Sequence, residues 1–129
     1  MEFQGDGKIR TLIVEDSPIY RGILKECLEK LFSSITVEEA SEGDEGVQKT
    51  GVFRPQIVFM DIQLPDGNGL DLIEKMKAKH SGVKVVLMTG FDSPEYREAA
   101  IRRGADGYID KNSLNPGQVE KMVKSLLGK

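Results

Sequence analysis

Four short apolar runs punctuate an otherwise mixed chain: Ile9 to Val14, Ile35 to Val37, Ile57 to Met60 and Val83 to Met88, with a weaker fifth at Gly107 to Ile109. All are rich in β-branched residues and read as strands. The first, third and fourth are continuously apolar, as in Leu12-Ile13-Val14, Ile57-Val58-Phe59-Met60 and Val85-Val86-Leu87-Met88. Such runs mark strands buried on both faces, the habit of a parallel sheet covered by helices on either side.

Between the runs the apolar spacing changes to three and four. Ile19, Ile23, Leu24, Cys27, Leu28 and Leu31 predict one core-facing stripe on a helix from Pro18 to Phe32. Ser17-Pro18 supplies its start, since serine caps an orphan amide and proline presets φ. The same device returns at Ser93-Pro94, opening a helix through Tyr96, Ala99 and Ala100 that Gly104 ends, and at Asn115-Pro116. That last helix carries Val119, Met122, Val123, Leu126 and Leu127 on one face, while Asp44 to Val52 and Leu70 to Lys79 supply the other two helices. Strict β–α alternation with short connections predicts right-handed crossovers and a doubly wound, five-stranded parallel sheet of order 2-1-3-4-5, in a three-layer α/β sandwich. One domain is expected over residues 8–128, preceded by a polar, glycine-rich and disordered extension, Met1 to Gly7.

Composition adds bounds. With 18 Lys plus Arg against 21 Asp plus Glu the net charge is −3, and the charges are evenly mixed. A nucleic-acid surface would need a basic stripe, so none is expected. The single Cys27 excludes an internal disulfide and is expected in the core; His80, just after a helix, is expected in solvent. No apolar run approaches the ~18 residues of a membrane span, and the start is unlike a signal peptide, so a cytoplasmic location is the default.

In an open α/β sheet the site lies where the strands end, at the topological switch between strands 1 and 3. Strand 1 runs out into Glu15-Asp16, strand 3 into Asp61, strand 4 into Thr89 and strand 5 into Lys111. Each alone is explained by a turn or a cap. Together, three carboxylates, a hydroxyl and an ammonium on one rim suit a hard divalent cation, Mg²⁺ first, and phosphoryl transfer to a carboxylate. Asp61, on the central strand, is the candidate nucleophile; Lys111 can pair with a phosphoryl oxygen and Thr89 can donate a hydrogen bond to one.

The acidic pair Glu15-Asp16, the run Asp61-Ile62-Gln63-Leu64-Pro65-Asp66-Gly67-Asn68-Gly69, the pair Thr89-Gly90 and the stretch Gly104-Ala105-Asp106-Gly107-Tyr108-Ile109-Asp110-Lys111 together resemble the receiver domains of bacterial two-component response regulators, of the chemotaxis-regulator kind and flavodoxin-like fold. The resemblance implies that Asp61 accepts phosphate from a sensor histidine kinase or phosphotransfer protein. It implies that Glu15, Asp16, Asp61 and the backbone carbonyl of Gln63 bind Mg²⁺, that Lys111 contacts the phosphoryl group, and that Thr89 and Tyr108 form the switch pair. The face of helix 4, strand 5 and helix 5, with Tyr96, Ile101, Arg102 and Tyr108, is then the surface that controls an output domain or partner and that pairs in a phosphorylated homodimer. Such a module transfers phosphate onto itself and loses it again, without turning over a separate substrate. The chain ends right after helix 5, which fits both a single-domain regulator and the front piece of a longer protein.

One departure stands out. The family usually follows its lysine with proline, often cis, whereas Asn112 follows Lys111 here. A cis bond without proline costs ~3 kcal/mol, so a trans peptide with a re-routed loop, or strain, is expected. The resemblance implies that Gln63, Gly90 and Phe91 lie near the path by which water would reach the phosphoryl group. Phe91 either covers core or hinders that water. Asp66, Gly67 and Asn68 are expected to form the turn before helix 3, with Asp66 close enough to the rim to affect kinase docking. The alternative is a pseudo-receiver that binds proteins without phosphorylation, against which the complete acidic set argues. A phosphohydrolase of the haloacid dehalogenase type would want an aspartate where Gln63 stands. A flavodoxin would want a Ser/Thr-rich loop where Glu15-Asp16 stands.

Overall fold

A computed structural model describes residues 8–128; the extension Met1 to Gly7 lies outside them. In chain order the strands are β1 (Ile9–Val14), β2 (Ile35–Ala40), β3 (Ile57–Asp61), β4 (Gln63–Leu64), β5 (Gly67–Asn68), β6 (Lys84–Thr89) and β7 (Gly107–Asp110). The helices are α1 (Pro18–Leu31), α2 (Gly43–Phe53), α3 (Ile73–Lys79), α4 (Pro94–Arg102) and α5 (Pro116–Leu126). Five strands form one parallel sheet of order β2-β1-β3-β6-β7, the expected 2-1-3-4-5 with β6 and β7 as fourth and fifth strands. β4 and β5 form a separate antiparallel hairpin.

The alternation of the strands sorts the core into two layers. Leu12, Val14, Val58, Met60, Val85 and Leu87 face Val47 of α2, Ile73 and Met76 of α3 and Ala100 of α4. Ile13, Phe59, Val86 and Met88 point the other way, onto Leu24 and Leu28 of α1 and Val119 and Val123 of α5. The central strands β3 and β6 are apolar on both faces because both faces are covered, and each fully buried side chain contributes roughly 1.5–3 kcal/mol of transfer free energy. Gly46 sits mid-helix for a steric reason: a Cβ there would stand 2.7 Å from Val14 Cγ2. All three Ser/Asn-Pro starts cap as expected, Ser17, Ser93 and Asn115 accepting from the amides of Tyr20, Tyr96 and Gln118 at 3.2 Å.

Several expectations are corrected. Ile19 is 77% and Ile23 52% exposed, and Cys27 is half-buried rather than core. The apolar stripe of α1 spans roughly half the helix circumference at 100° per residue, while the sheet covers only the part around Leu24 and Leu28, with Tyr20 and Leu31 at its margin. His80 is half-buried, and burial with the charges of Arg54 and Arg10 holds its imidazole below the usual range. β2 runs three residues past Val37, because this edge strand keeps Glu38 and Glu39 on ion pairs with Lys49, Arg21 and Lys25. The expected helix from Leu70 begins instead as a 3₁₀ turn, Gly69–Leu72, and becomes α-helical at Ile73.

Of the turn expected over Asp66 to Asn68, only Asp66 stands at the tip of the β4–β5 hairpin, beside Pro65, while Gly67 and Asn68 form β5; Asp66 has a further use. Glu42, the N-cap of α2, makes no side-chain cap. Asp66 replaces it from another element, Oδ1 accepting from Gly43 N at 2.7 Å and Oδ2 from Asp44 N at 2.9 Å. These amides of Asp44 and Gly43 hold the Asp66 carboxyl below the usual carboxylate range. Asp66→Ala is expected to lower stability by about 1 kcal/mol, the usual worth of a helix cap, measured by urea unfolding at neutral pH. The sign with pH follows from the lowered value. The carboxylate's contribution is complete above its ordinary pKa and is lost as pH falls through the folded one, so the gap between the two proteins narrows on acidification.

Candidate functional site

The strand ends place the site. β3 and β6 each run one residue further than the apolar pattern indicates, so Asp61 and Thr89 are the last residues of their strands and not loop residues. Register puts Asp61 beside Met88 and Thr89 beside Asp110, immediately before Lys111. Glu15 follows β1 and keeps the sheet direction by donating its amide to Ala40 O at 2.9 Å. Parallel strands ending level at this edge thus bring together residues 96 positions apart.

Lys111 is the hub. Its Nζ donates to Glu15 Oε1 at 2.6 Å and to Asp61 Oδ2 at 2.9 Å. Glu15 is fully buried, and its other oxygen accepts from Ser17 N at 2.9 Å; Asp61 is 6% exposed, and its Oδ1 accepts from Gln63 N at 3.1 Å. Burial pushes the Glu15 carboxyl up, an effect that the bonds from Lys111 and Ser17 only partly offset. For Lys111 burial disfavours the charge, but the hydrogen bonds to Glu15 and Asp61 outweigh it and raise its pKa.

Asp16 is exposed at the mouth. One carboxylate oxygen each from Glu15, Asp16 and Asp61 lies within 4.8 Å of the others. Three carboxylates against one ammonium leave excess negative charge, and the donors are all oxygen, which fits a hard divalent cation. The Gln63 side chain is exposed beside this cluster.

The remaining predicted residues lie on the same rim but are not joined to the carboxylates. The buried Thr89 hydroxyl is turned into the β6–α4 loop, accepting from Phe91 N at 3.0 Å and donating to Phe91 O at 3.1 Å. Phe91 itself is 70% exposed, so it does not cover core; its ring meets Tyr96 edge-on at 6.3 Å. Tyr108 lies half-buried under the Arg97 guanidinium, 4.6 Å from its ring centre, and Arg97 is paired with Asp92 at 2.9 Å. Burial and the Asp92 charge raise the Tyr108 phenol.

The Lys111-Asn112 bond resolves as a re-routed loop. No peptide among the described residues is cis, and Lys111–Ser113 form a 3₁₀ turn capped by Asp110, which accepts from Asn112 N at 2.9 Å. The Asn112 side chain donates to Gly90 O at 2.8 Å, tying this loop to the one that holds Thr89. Sequence reasoning also passed over Tyr20, whose ring centre lies 4.7 Å from Lys111 Nζ and whose phenol burial pushes up to about 12. An aromatic in the first turn of a helix that starts straight after the acidic pair was the available signal.

No helix among the described residues is long and apolar enough to cross a membrane. The chain is 32% identical to the chemotaxis protein CheY of Halobacterium salinarum, over 86% of this chain and 91% of that one. Against regulatory proteins TcrX of Mycobacterium tuberculosis and NarL of Escherichia coli, at 29% identity, it spans only about half of the relative, 50% and 51%. Among solved structures it resembles a CheY-like receiver domain protein from Methanospirillum hungatei, with TM-score 0.82 and 34% identity over 94% of this chain and 95% of that one. It also resembles a Burkholderia pseudomallei response regulator described with a phosphorylated aspartic acid and a calcium ion, with TM-score 0.77 and 25% identity over 91% and 65%. The family model for the response regulator receiver domain matches residues 11–124, and the chain belongs to that family of two-component signalling domains.

Proposed function

We propose that this receiver accepts a phosphoryl group on Asp61 and signals through the α4–β7–α5 face. The observation that carries the reading is the Asp61 carboxylate, nearly buried at the end of the central strand, with Lys111 on one oxygen and Glu15 and Asp16 within 4.8 Å. The phosphorylated aspartic acid and calcium ion of the Burkholderia regulator support it.

A carboxylate oxygen of Asp61 attacks phosphorus, the bond from phosphorus to the donor's imidazole nitrogen breaks, and an acyl phosphate forms. Buried and almost dry, Asp61 meets the phosphorus without a water shell to shed. Lys111, already at 2.9 Å from Asp61, is placed to transfer a hydrogen bond onto a phosphoryl oxygen. Glu15, Asp16 and Asp61 with the Gln63 carbonyl would hold Mg²⁺, which when bound offsets the charge of the phosphoryl oxygens. Hydrolysis reverses the gain: water attacks phosphorus, inorganic phosphate leaves, and the Asp61 carboxylate returns.

Signalling then rests on Thr89. Its hydroxyl gives up Phe91 for a phosphoryl oxygen, the β6–α4 loop shifts, and Tyr108 leaves the Arg97 guanidinium and rotates inward. The donor is a sensor histidine kinase or phosphotransfer protein in the cytoplasm. The changed face, with Ile101 exposed upon it, meets an output domain, a partner or a second phosphorylated copy.

Incubation with Mg²⁺ and acetyl phosphate, read by intact mass, is expected to add one phosphoryl group to the wild type, to require Mg²⁺, and to add none to Asp61→Asn. A wild type that gains nothing, and that also fails to bind beryllofluoride, would return the pseudo-receiver reading. Phe91→Glu is expected to shorten the lifetime of the phosphorylated state several-fold, since a carboxylate there replaces an apolar ring on the water path. The decay of the phosphorylated mass after acetyl phosphate is removed checks it, and an unchanged decay would strip Phe91 of that role.

A further inference from the structure

The geometry points to Tyr20 as a positioning residue for Lys111 during phosphoryl transfer, an inference that rests on the function proposed above. A lysine ammonium has three N–H donors. Two are directed at Glu15 Oε1 and Asp61 Oδ2, at 2.6 and 2.9 Å, and the Tyr20 ring stands over Nζ with its centre at 4.7 Å. The ring face carries negative quadrupole density and so attracts the ammonium where water would otherwise solvate it. Lys111 is thereby enclosed by two carboxylates and an aromatic face, with 17% of its side chain exposed.

The ring matters because the two carboxylates alone do not set a stable place for Nζ during the reaction. Once Asp61 is phosphorylated it carries its charge on phosphoryl oxygens farther from the strand end. Buried Glu15 then competes with them for the same ammonium. The attraction of the ring does not depend on which oxygen accepts the hydrogen bond, so it holds Nζ between the two acceptors as the bond to Asp61 is exchanged for one to the phosphoryl group. The anchorage is firm: Tyr20 packs against the α1–α5 core layer, and its amide is fixed by the Ser17 cap at 3.2 Å.

The hydroxyl takes no part in this. It is buried and has no hydrogen-bond partner among the described residues, which costs stability without serving the ring. The inference therefore separates ring from hydroxyl, and Tyr20→Phe and Tyr20→Leu give opposite results.

The experiment compares wild type, Tyr20→Phe and Tyr20→Leu in three readouts. These are the rate of mass gain with acetyl phosphate at saturating Mg²⁺, the Mg²⁺ affinity by calorimetry, and the NMR shift of the Lys111 ε-methylene protons. Tyr20→Leu is expected to slow phosphorylation roughly three- to tenfold, the range of a part-buried cation–π contact, while leaving the Mg²⁺ affinity within about twofold. Tyr20→Phe is expected to keep the wild-type rate and to melt no lower. The upfield ring-current shift of the ε-protons is expected in wild type and Tyr20→Phe and lost in Tyr20→Leu. If the leucine variant does not fold, Tyr20→Met, which refills the space flexibly, takes its place. A leucine or methionine variant at the wild-type rate, or a phenylalanine variant as slow as leucine, would overturn the inference alone. A wild type that accepts no phosphoryl group would overturn the proposed function, and the inference with it.

Discussion

The ion pair network of Lys111 with Glu15 and Asp61 is the constraint on which the site depends. Two carboxylates held almost without water at neighbouring strand ends repel each other, and burial pushes the Glu15 carboxyl up. One ammonium bonded to both offsets that repulsion and holds them in place. It also leaves the cluster, with Asp16, short of positive charge. The parallel sheet makes this arrangement possible, since only level strand ends bring Glu15, Asp61 and Lys111 to one point from three distant stretches of chain. A receiver domain signals through phosphorylation, and in this one Glu15, Asp16, Asp61 and Lys111 gather at the edge where the strands end.

The sheet was legible because β1, β3 and β6 are buried on both faces, and an unbroken apolar run has few other uses. The order followed from alternation and handedness. The helix starts were legible for a local reason, since Ser-Pro and Asn-Pro write cap and first turn in adjacent residues. The reading failed where burial is decided by more distant geometry. Ile19 and Ile23 fit the period of α1, but they lie on the side of its wide apolar stripe away from the buried Leu24 and Leu28 and stay exposed. Asp66 looked like a turn residue and serves also as the cap of α2, a role set across sequence separations of 22 and 23. The members of the rim could be named from strand ends, but not that Thr89 turns away from Asp61, nor that Tyr20 covers Lys111.

The connections around the rim are short and of one kind. Asn112 ties the loop after β7 to Gly90, Thr89 clasps Phe91, Phe91 meets Tyr96, and Arg97 bridges Asp92 and the Tyr108 ring. All but the Arg97–Tyr108 contact, which joins α4 to β7, tie the β6–α4 loop to a neighbouring element. In the proposed mechanism a single exchanged hydrogen bond at Thr89 therefore disturbs several contacts on the signalling face, and no long path is needed between phosphorylation and output.

A crystal structure of the Mg²⁺–beryllofluoride complex tests the central claim most directly. The account predicts beryllium on an Asp61 carboxylate oxygen, Lys111 Nζ and the Thr89 hydroxyl on fluorides, and the Thr89–Phe91 bonds broken. A complex with beryllium elsewhere, or with Thr89 still bonded to Phe91 and Lys111 Nζ on Glu15 but on no fluoride, would contradict it.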